Sequence, residues 1–140
     1  MPLGSKFVAS APVLTFTPNG STTATDIAPF AKDLNMPQSM ATADLTGYTN
    51  TNHQYQPTLP DLSISWVTFL ETGNVIEDLI GIPGAKGTVI FAPNGTTVGM
   101  RKYTLAGFIS QFDAHFPYSD GATADTTFMP TGNLTRGVYP

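Results

Sequence analysis

The chain has 140 residues, a formal net charge of −4, no cysteine and only 11% charged residues. That length supports one domain with one core. The lack of cysteine excludes disulfides and thiolate metal sites, and a single adjacent basic pair, Arg101-Lys102, argues against gripping a nucleic-acid backbone.

Threonine occurs 21 times, glycine 13 times and proline 12 times. This suits a mainly β chain with many turns. Low charge also suits a surface covered in part by copies of the same chain, because interface cores are depleted of charge. Met1–Lys6 lacks the apolar segment of a signal peptide and reads as an N-terminal arm. No run approaches the length of a membrane span.

Phe7–Phe16, interrupted by Pro12, predicts an edge strand or two short pieces. Pro18-Asn19-Gly20 predicts a hairpin turn, and Ser21–Asp26 a polar loop. Ile27–Leu34 fits either a strand or a helical turn, with Pro29 favouring strand or irregular structure. Met36–Pro60 shows little apolar periodicity and reads as a long loop. A structureless loop of that length is uncommon in a small domain. Its Met36, Met40, Leu45, Tyr48, Tyr55 and Leu59 make it a candidate inter-subunit element, ordered by a neighbouring copy or else folded back on its own domain.

Asp61–Leu70 alternates, with Leu62, Ile64, Trp66 and Leu70 on one face, which predicts a half-buried strand. Asn74 with Glu77 reads as a capping box at the start of a short helix, Asn74–Ile80. Val75, Ile76, Leu79 and Ile80 form the face that would pack on a sheet. Gly81 and Pro83 stop the helix. Two turns do not persist alone in water, so a sheet must cover that face.

Gly87–Ala92 predicts a strand and Pro93-Asn94-Gly95 a second turn. Val98–Pro117 predicts one long or two bent strands, with Gly99 and Gly107 as bulge or bend sites. Phe108, Phe112, Ala114 and Phe116 share one parity; Ile109, Gln111, Asp113 and His115 share the other. Ala122–Met129 predicts a last strand, with Ala122, Ala124, Thr126 and Phe128 on one face and Thr123, Asp125 and Thr127 on the other. Thr131–Pro140 reads as a tail.

Catalytic signatures are absent from the sequence. His53 and His115 have no metal-ligand partner at helical or hairpin spacing, so neither a metal site nor another cofactor is expected. Gly81–Gly87 (GIPGAKG) lacks the order of a phosphate loop, and no nucleophile elbow occurs. An enzyme is therefore not expected. Trp66 and the tyrosines offer a stacking platform for a carbohydrate-binding β-sandwich, but Trp66 shares the apolar parity of Leu62 and Ile64 and reads as core.

The order of elements from Asp61 onward resembles the tail tube proteins of long-tailed bacteriophages. The residues carrying the resemblance are the strand and short helix, the Pro-Asn-Gly hairpin, Tyr103–Asp113, Pro117, Asp120 and the closing Gly132-Asn133-Leu134-Thr135-Arg136-Gly137. It covers about half of the chain. The resemblance implies a β-sandwich or barrel-like domain over 1–140, with an arm at 1–6 and a tail at 131–140. It implies a homo-oligomer of stacked rings, hexameric, forming a hollow tube through which DNA passes. It also implies that the long loop, Met36–Pro60, reaches an adjacent ring or subunit. Tape measure and terminator proteins would be partners; the tube would be assembled in the host bacterial cytoplasm and reside in the virion. A tail terminator or other minor ring protein is the alternative within the same particle.

Stacked rings are also what head-to-tail contacts make when they close. A six-fold ring of such chains would carry about −24, and part of it along a lumen would keep DNA from sticking. Gln111, Asp113, Thr123, Asp125 and Thr127, on the polar parity of the last two strands, are the candidate lumen-facing residues.

Overall fold

The computed structural model describes Gly4 and residues 12–140. Apart from Gly4, the expected arm at 1–6 and the strand start at Phe7 lie outside the described residues.

Apolar residues alternating with threonines give β1 (Val13–Pro18), whose Leu14 and Phe16 are buried. The Asn19-Gly20 turn, with Gly20 at φ 83°, returns the chain to the short β2 (Thr25–Asp26). The end of the expected polar loop is thus a strand. Ile27–Leu34 divides: a 3-10 turn at Ala28–Phe30 holds Pro29, and β3 (Ala31–Asn35) follows.

Met36–Pro60 is not a structureless loop. It contains β4 (Gln38–Asp44) and enters β5 (Tyr55–Leu62), which pair antiparallel as a separate two-stranded sheet. The expected strand Asp61–Leu70 breaks at Ser63, where β5 gives way to β6 (Ile64–Phe69). Because β3 pairs with β6, the β4–β5 hairpin prolongs that pair beyond the main sheet. The Ser63 N–H donates to the Pro37 carbonyl at the junction (3.4 Å).

Helix α1 (Val75–Ile80) forms where expected, but the capping box does not. Asn74 adopts φ 61° and its side chain caps nothing. The Glu71 carboxylate accepts the Val75 N–H and the Gly73 N–H instead. It thereby places a negative charge by the orphan donors at the positive end of the helix. Ile76 and Ile80 are buried and Leu79 packs against the core, whereas Val75 is 55% exposed and leaves the expected face.

β7 (Lys86–Ala92), β8 (Arg101–His115) and β9 (Thr123–Pro130) follow, with the second Asn-Gly turn joining β7 to β8. The tail is partly a strand, β10 (Thr135–Val138), paired with the start of β8. The main sheet has eight strands in the order β2-β1-β7-β8-β9-β6-β3, with β10 beside β8. Among the described residues, every pairing in it is antiparallel.

The sheet curls around one core. Phe16 on β1 meets Phe128 on β9 edge to face, although β7 and β8 separate those strands. Leu14, Ile64, Trp66, Val89, Leu105 and Ile109 complete the interior with Ile76 and Ile80 of α1. Curling requires close approach where Gly87 faces Gly107 across β7 and β8. A Cβ on Gly107 would lie 2.0 Å from the Met129 carbonyl oxygen, and one on Gly87 2.6 Å from the Phe16 ring. Gly107 is therefore a site of close packing. The register shift of β8 against β9 lies further on, between Ile109 and Gln111.

Candidate functional site

The shift between Ile109 and Gln111 changes which parity of β8 faces outward. Before it, Leu105, Gly107 and Ile109 point to the core; after it, Phe112 and Ala114 do. Ile109 is fully buried, so it parts from Gln111, Asp113 and His115, with which uniform alternation had grouped it. On β9 the expected alternation holds: Ala124, Thr126 and Phe128 are buried, while Asp125 is exposed and Thr123 and Thr127 are half-buried.

The β8–β9 register brings all five candidate lumen residues together. Gln111 lies opposite Thr127, Asp113 opposite Asp125, and His115 opposite Thr123. The same outward face continues onto β6 and β3. Ser65, Val67 and Phe69 pair with Thr127, Asp125 and Thr123, and Lys32 pairs with Val67. One row therefore reads Asp113, Asp125, Val67, Lys32 across four strands. The Lys32 ammonium sits 5.1 Å from the centre of the Phe69 ring, a cation–π arrangement that directs it toward β6. Lys32, Ser65, Val67 and Phe69 escaped the sequence reading because nothing local specifies that β6 lies between β9 and β3.

His115 Nε2 stands 3.5 Å from Asp113 Oδ2 and 3.7 Å from Asp125 Oδ2. All three side chains are exposed, and each can offer an oxygen or nitrogen to a point between them. Asp125 is the partner that the spacing around His115 does not reveal: it arrives through strand register.

The second candidate surface is the β4–β5 hairpin. Met40, Leu45, Tyr48, Tyr55 and Leu59 are all exposed, Tyr48 and Leu59 most fully. Met36 differs: it packs against the domain's own core. The hairpin tip is ordered by polar bonds. Asp44 Oδ1 accepts the Thr46 hydroxyl and the Thr46 N–H, and Thr46 Oγ1 accepts the Gln54 N–H at 3.0 Å. The Thr46 hydroxyl, then its N–H, hold the Asp44 carboxyl below its ordinary value. At the base, the Arg136 guanidinium donates to Gln38 Oε1, tying the hairpin to β10. A groove of about 410 Å³ runs there between Met40, Pro60, Leu62 and Leu134.

Trp66 is buried, so it provides no stacking platform for a sugar. Its indole Nε1, with Thr68 Oγ1 and Thr126 Oγ1, has no hydrogen-bond partner among the described residues. No helix among those residues is long and apolar enough to cross a membrane.

The fold is that of solved viral-type tail structures. The chain superposes on a chain of the SPP1 tail tube with a TM-score of 0.72 at 9% identity, covering 91% of this chain and 76% of that one. A chain of the anti-feeding prophage baseplate, symmetrised six-fold, gives 0.67 at 10% identity, covering 97% and 98%. A chain from the tail of an empty gene transfer agent particle, refined with C6 symmetry, gives 0.64 at 12% identity, covering 90% and 95%. No protein-family model and no curated protein sequence matches the chain.

Proposed function

We propose that this chain is a non-catalytic structural subunit of a tail tube, closing into hexameric rings that stack into a hollow tube for DNA and reside in the virion. The observation that carries the reading is the pair of open edges on the β8–β9–β6–β3 sheet, in a chain with the tail-tube fold. β3 ends the sheet on one side. On the other, the β7 pairing of β8 stops at Phe108, so Ser110–His115 has no strand partner there among the described residues.

Successive antiparallel pairs make β8 and β3 run in opposite directions. A rotation about a ring axis therefore brings β3 of one copy beside β8 of the next with antiparallel polarity. Repetition closes the inner strands into a barrel and removes both edges. The face bearing Asp113 and Asp125 then lines the lumen, and the β4–β5 hairpin reaches the adjoining ring. Tape measure and terminator proteins are the further partners of such a tube.

The superposition on a baseplate chain over nearly its full length favours a second reading, a ring component that does not polymerise. Negative-stain electron microscopy of the purified chain across a concentration series tests both. Hollow tubes of uniform width are the expected result. Single rings that never stack, even when seeded with tube fragments, favour the second reading. Monomers at every concentration, seeded or not, reject both.

A further inference from the structure

We propose that Asp113, His115 and Asp125 form a binding site for a divalent transition-metal ion of the zinc type, linking β8 to β9. Asp113 and Asp125 are directly opposite each other in the ladder. Like charges in that relation oppose strand pairing. Among the described residues, no lysine or arginine forms an ion pair with either carboxylate. The nearby Lys32 lies against the Phe69 ring, on the far side of Val67.

His115 supplies an imidazole nitrogen to the same point. One donor atom from each of the three residues lies within 4.8 Å of the others. Two ligands about 2.0–2.2 Å from a zinc ion are separated from each other by about 3–3.5 Å. The Nε2-to-carboxylate distances of 3.5 and 3.7 Å need only a few tenths of an ångström to meet that. The side chains stand on two paired strands, which fix their spacing better than a loop would.

The donor set selects the ion. One nitrogen and two carboxylates suit zinc and its first-row neighbours. Calcium and magnesium prefer oxygen alone. Three protein ligands on an exposed face leave the remaining coordination positions to water or an incoming group. The site stands without the tube reading. If that reading holds as well, occupancy places a dication beside two carboxylates lining the lumen.

The test is isothermal titration of Zn²⁺ into the purified full chain stripped with chelator. One ion per chain is expected. Asp125→Asn and His115→Gln should each weaken binding by more than about tenfold, while His53→Gln, which alters the hairpin pair His53–Asp44, should leave it unchanged. Far-UV circular dichroism confirms that each variant is folded. A wild type without saturable binding overturns the site. So does binding that survives both Asp125→Asn and His115→Gln, or binding lost in folded His53→Gln.

Discussion

Phe16 and Phe128 meet with ring centroids 6.4 Å apart and planes 81° apart, joining two strands that are not neighbours in the sheet. Each is essentially excluded from solvent. Phe128→Ala should destabilise the fold by about 3–5 kcal/mol, through lost burial and the cavity left behind. The edge-to-face pair should add a coupling of about 0.5–1.5 kcal/mol in a double-mutant cycle with Phe16→Leu. Urea unfolding measures both, and additive losses would show that the two rings do not hold the curl together.

The start of α1 separates two glutamates that sequence pattern alone confuses. Glu71 accepts the Gly73 and Val75 N–H groups; Glu77 makes no reciprocal bond to Asn74. Glu71→Ala should cost about 0.5–2 kcal/mol, as loss of a cap does. Glu77→Ala should cost less. Asn74→Gly should be tolerated, since φ 61° carries little penalty for glycine. Equal melting-temperature losses for Glu71→Ala and Glu77→Ala would contradict the assignment.

These cases show which signals the sequence carries. Strands β1, β6 and β9 are legible because core-facing residues recur at every second position, and β7 because Val89, Ile90 and Phe91 form a short apolar run ahead of a turn. Both Asn-Gly turns were legible because the dipeptide itself favours positive φ. The β4–β5 pair was not. Most of its side chains are exposed on both faces, so no alternation marks it, and Pro57 and Pro60 argue against a strand. Uniform parity along β8 fails at Ile109, which lies before the shift and is buried, whereas Gln111, Asp113 and His115 beyond it do share an outward face; a one-residue shift leaves no local mark. The five candidate lumen residues were found as a face, but their neighbours on β3 and β6 depend on strand order, which is not a local property.

The Asp44 carboxyl should titrate below 3.8, its ordinary value, because the Thr46 hydroxyl and then the Thr46 N–H favour its charged form. A depressed value in the folded state contributes stability that is fully present above the unfolded-state value. That contribution fades as pH falls through the folded-state value. The hairpin tip should therefore loosen in acid below about pH 4. Thr46→Ala should move the Asp44 midpoint part of the way back, since the N–H remains. Carbon-detected NMR titration of the side chain checks this; an unchanged midpoint would remove the hydroxyl from the cause.

On the tube reading, charge on the β8–β9 face governs DNA transit. The double variant Asp113→Lys, Asp125→Lys should still assemble, because both side chains point away from the core, but should slow DNA passage by attraction to phosphate. The double Asn variant serves as a control that removes the carboxylates without adding positive charge. Infection kinetics of particles carrying each variant give the comparison. Lysine particles that eject DNA as fast as wild type would move this face out of the lumen.

The hairpin offers the sharpest separation of folding from assembly. A two-stranded ribbon is marginal by itself, and residues 38–61 contribute none of the buried core. Five large apolar side chains on it, Met40, Leu45, Tyr48, Tyr55 and Leu59, remain in solvent in the single chain. Burying them against an adjoining copy would recover roughly 1.5–3 kcal/mol for each one fully covered. Replacing residues 41–58 with an Asn-Gly turn should therefore leave the melting temperature of the monomer nearly unchanged while stopping ring stacking. Circular dichroism follows the first effect and negative-stain microscopy the second. Tubes of normal length from the shortened chain would remove the hairpin from the inter-ring contact; a collapse in monomer stability, with the Arg136–Gln38 bond at the base retained, would show that the removed ribbon itself supports the fold.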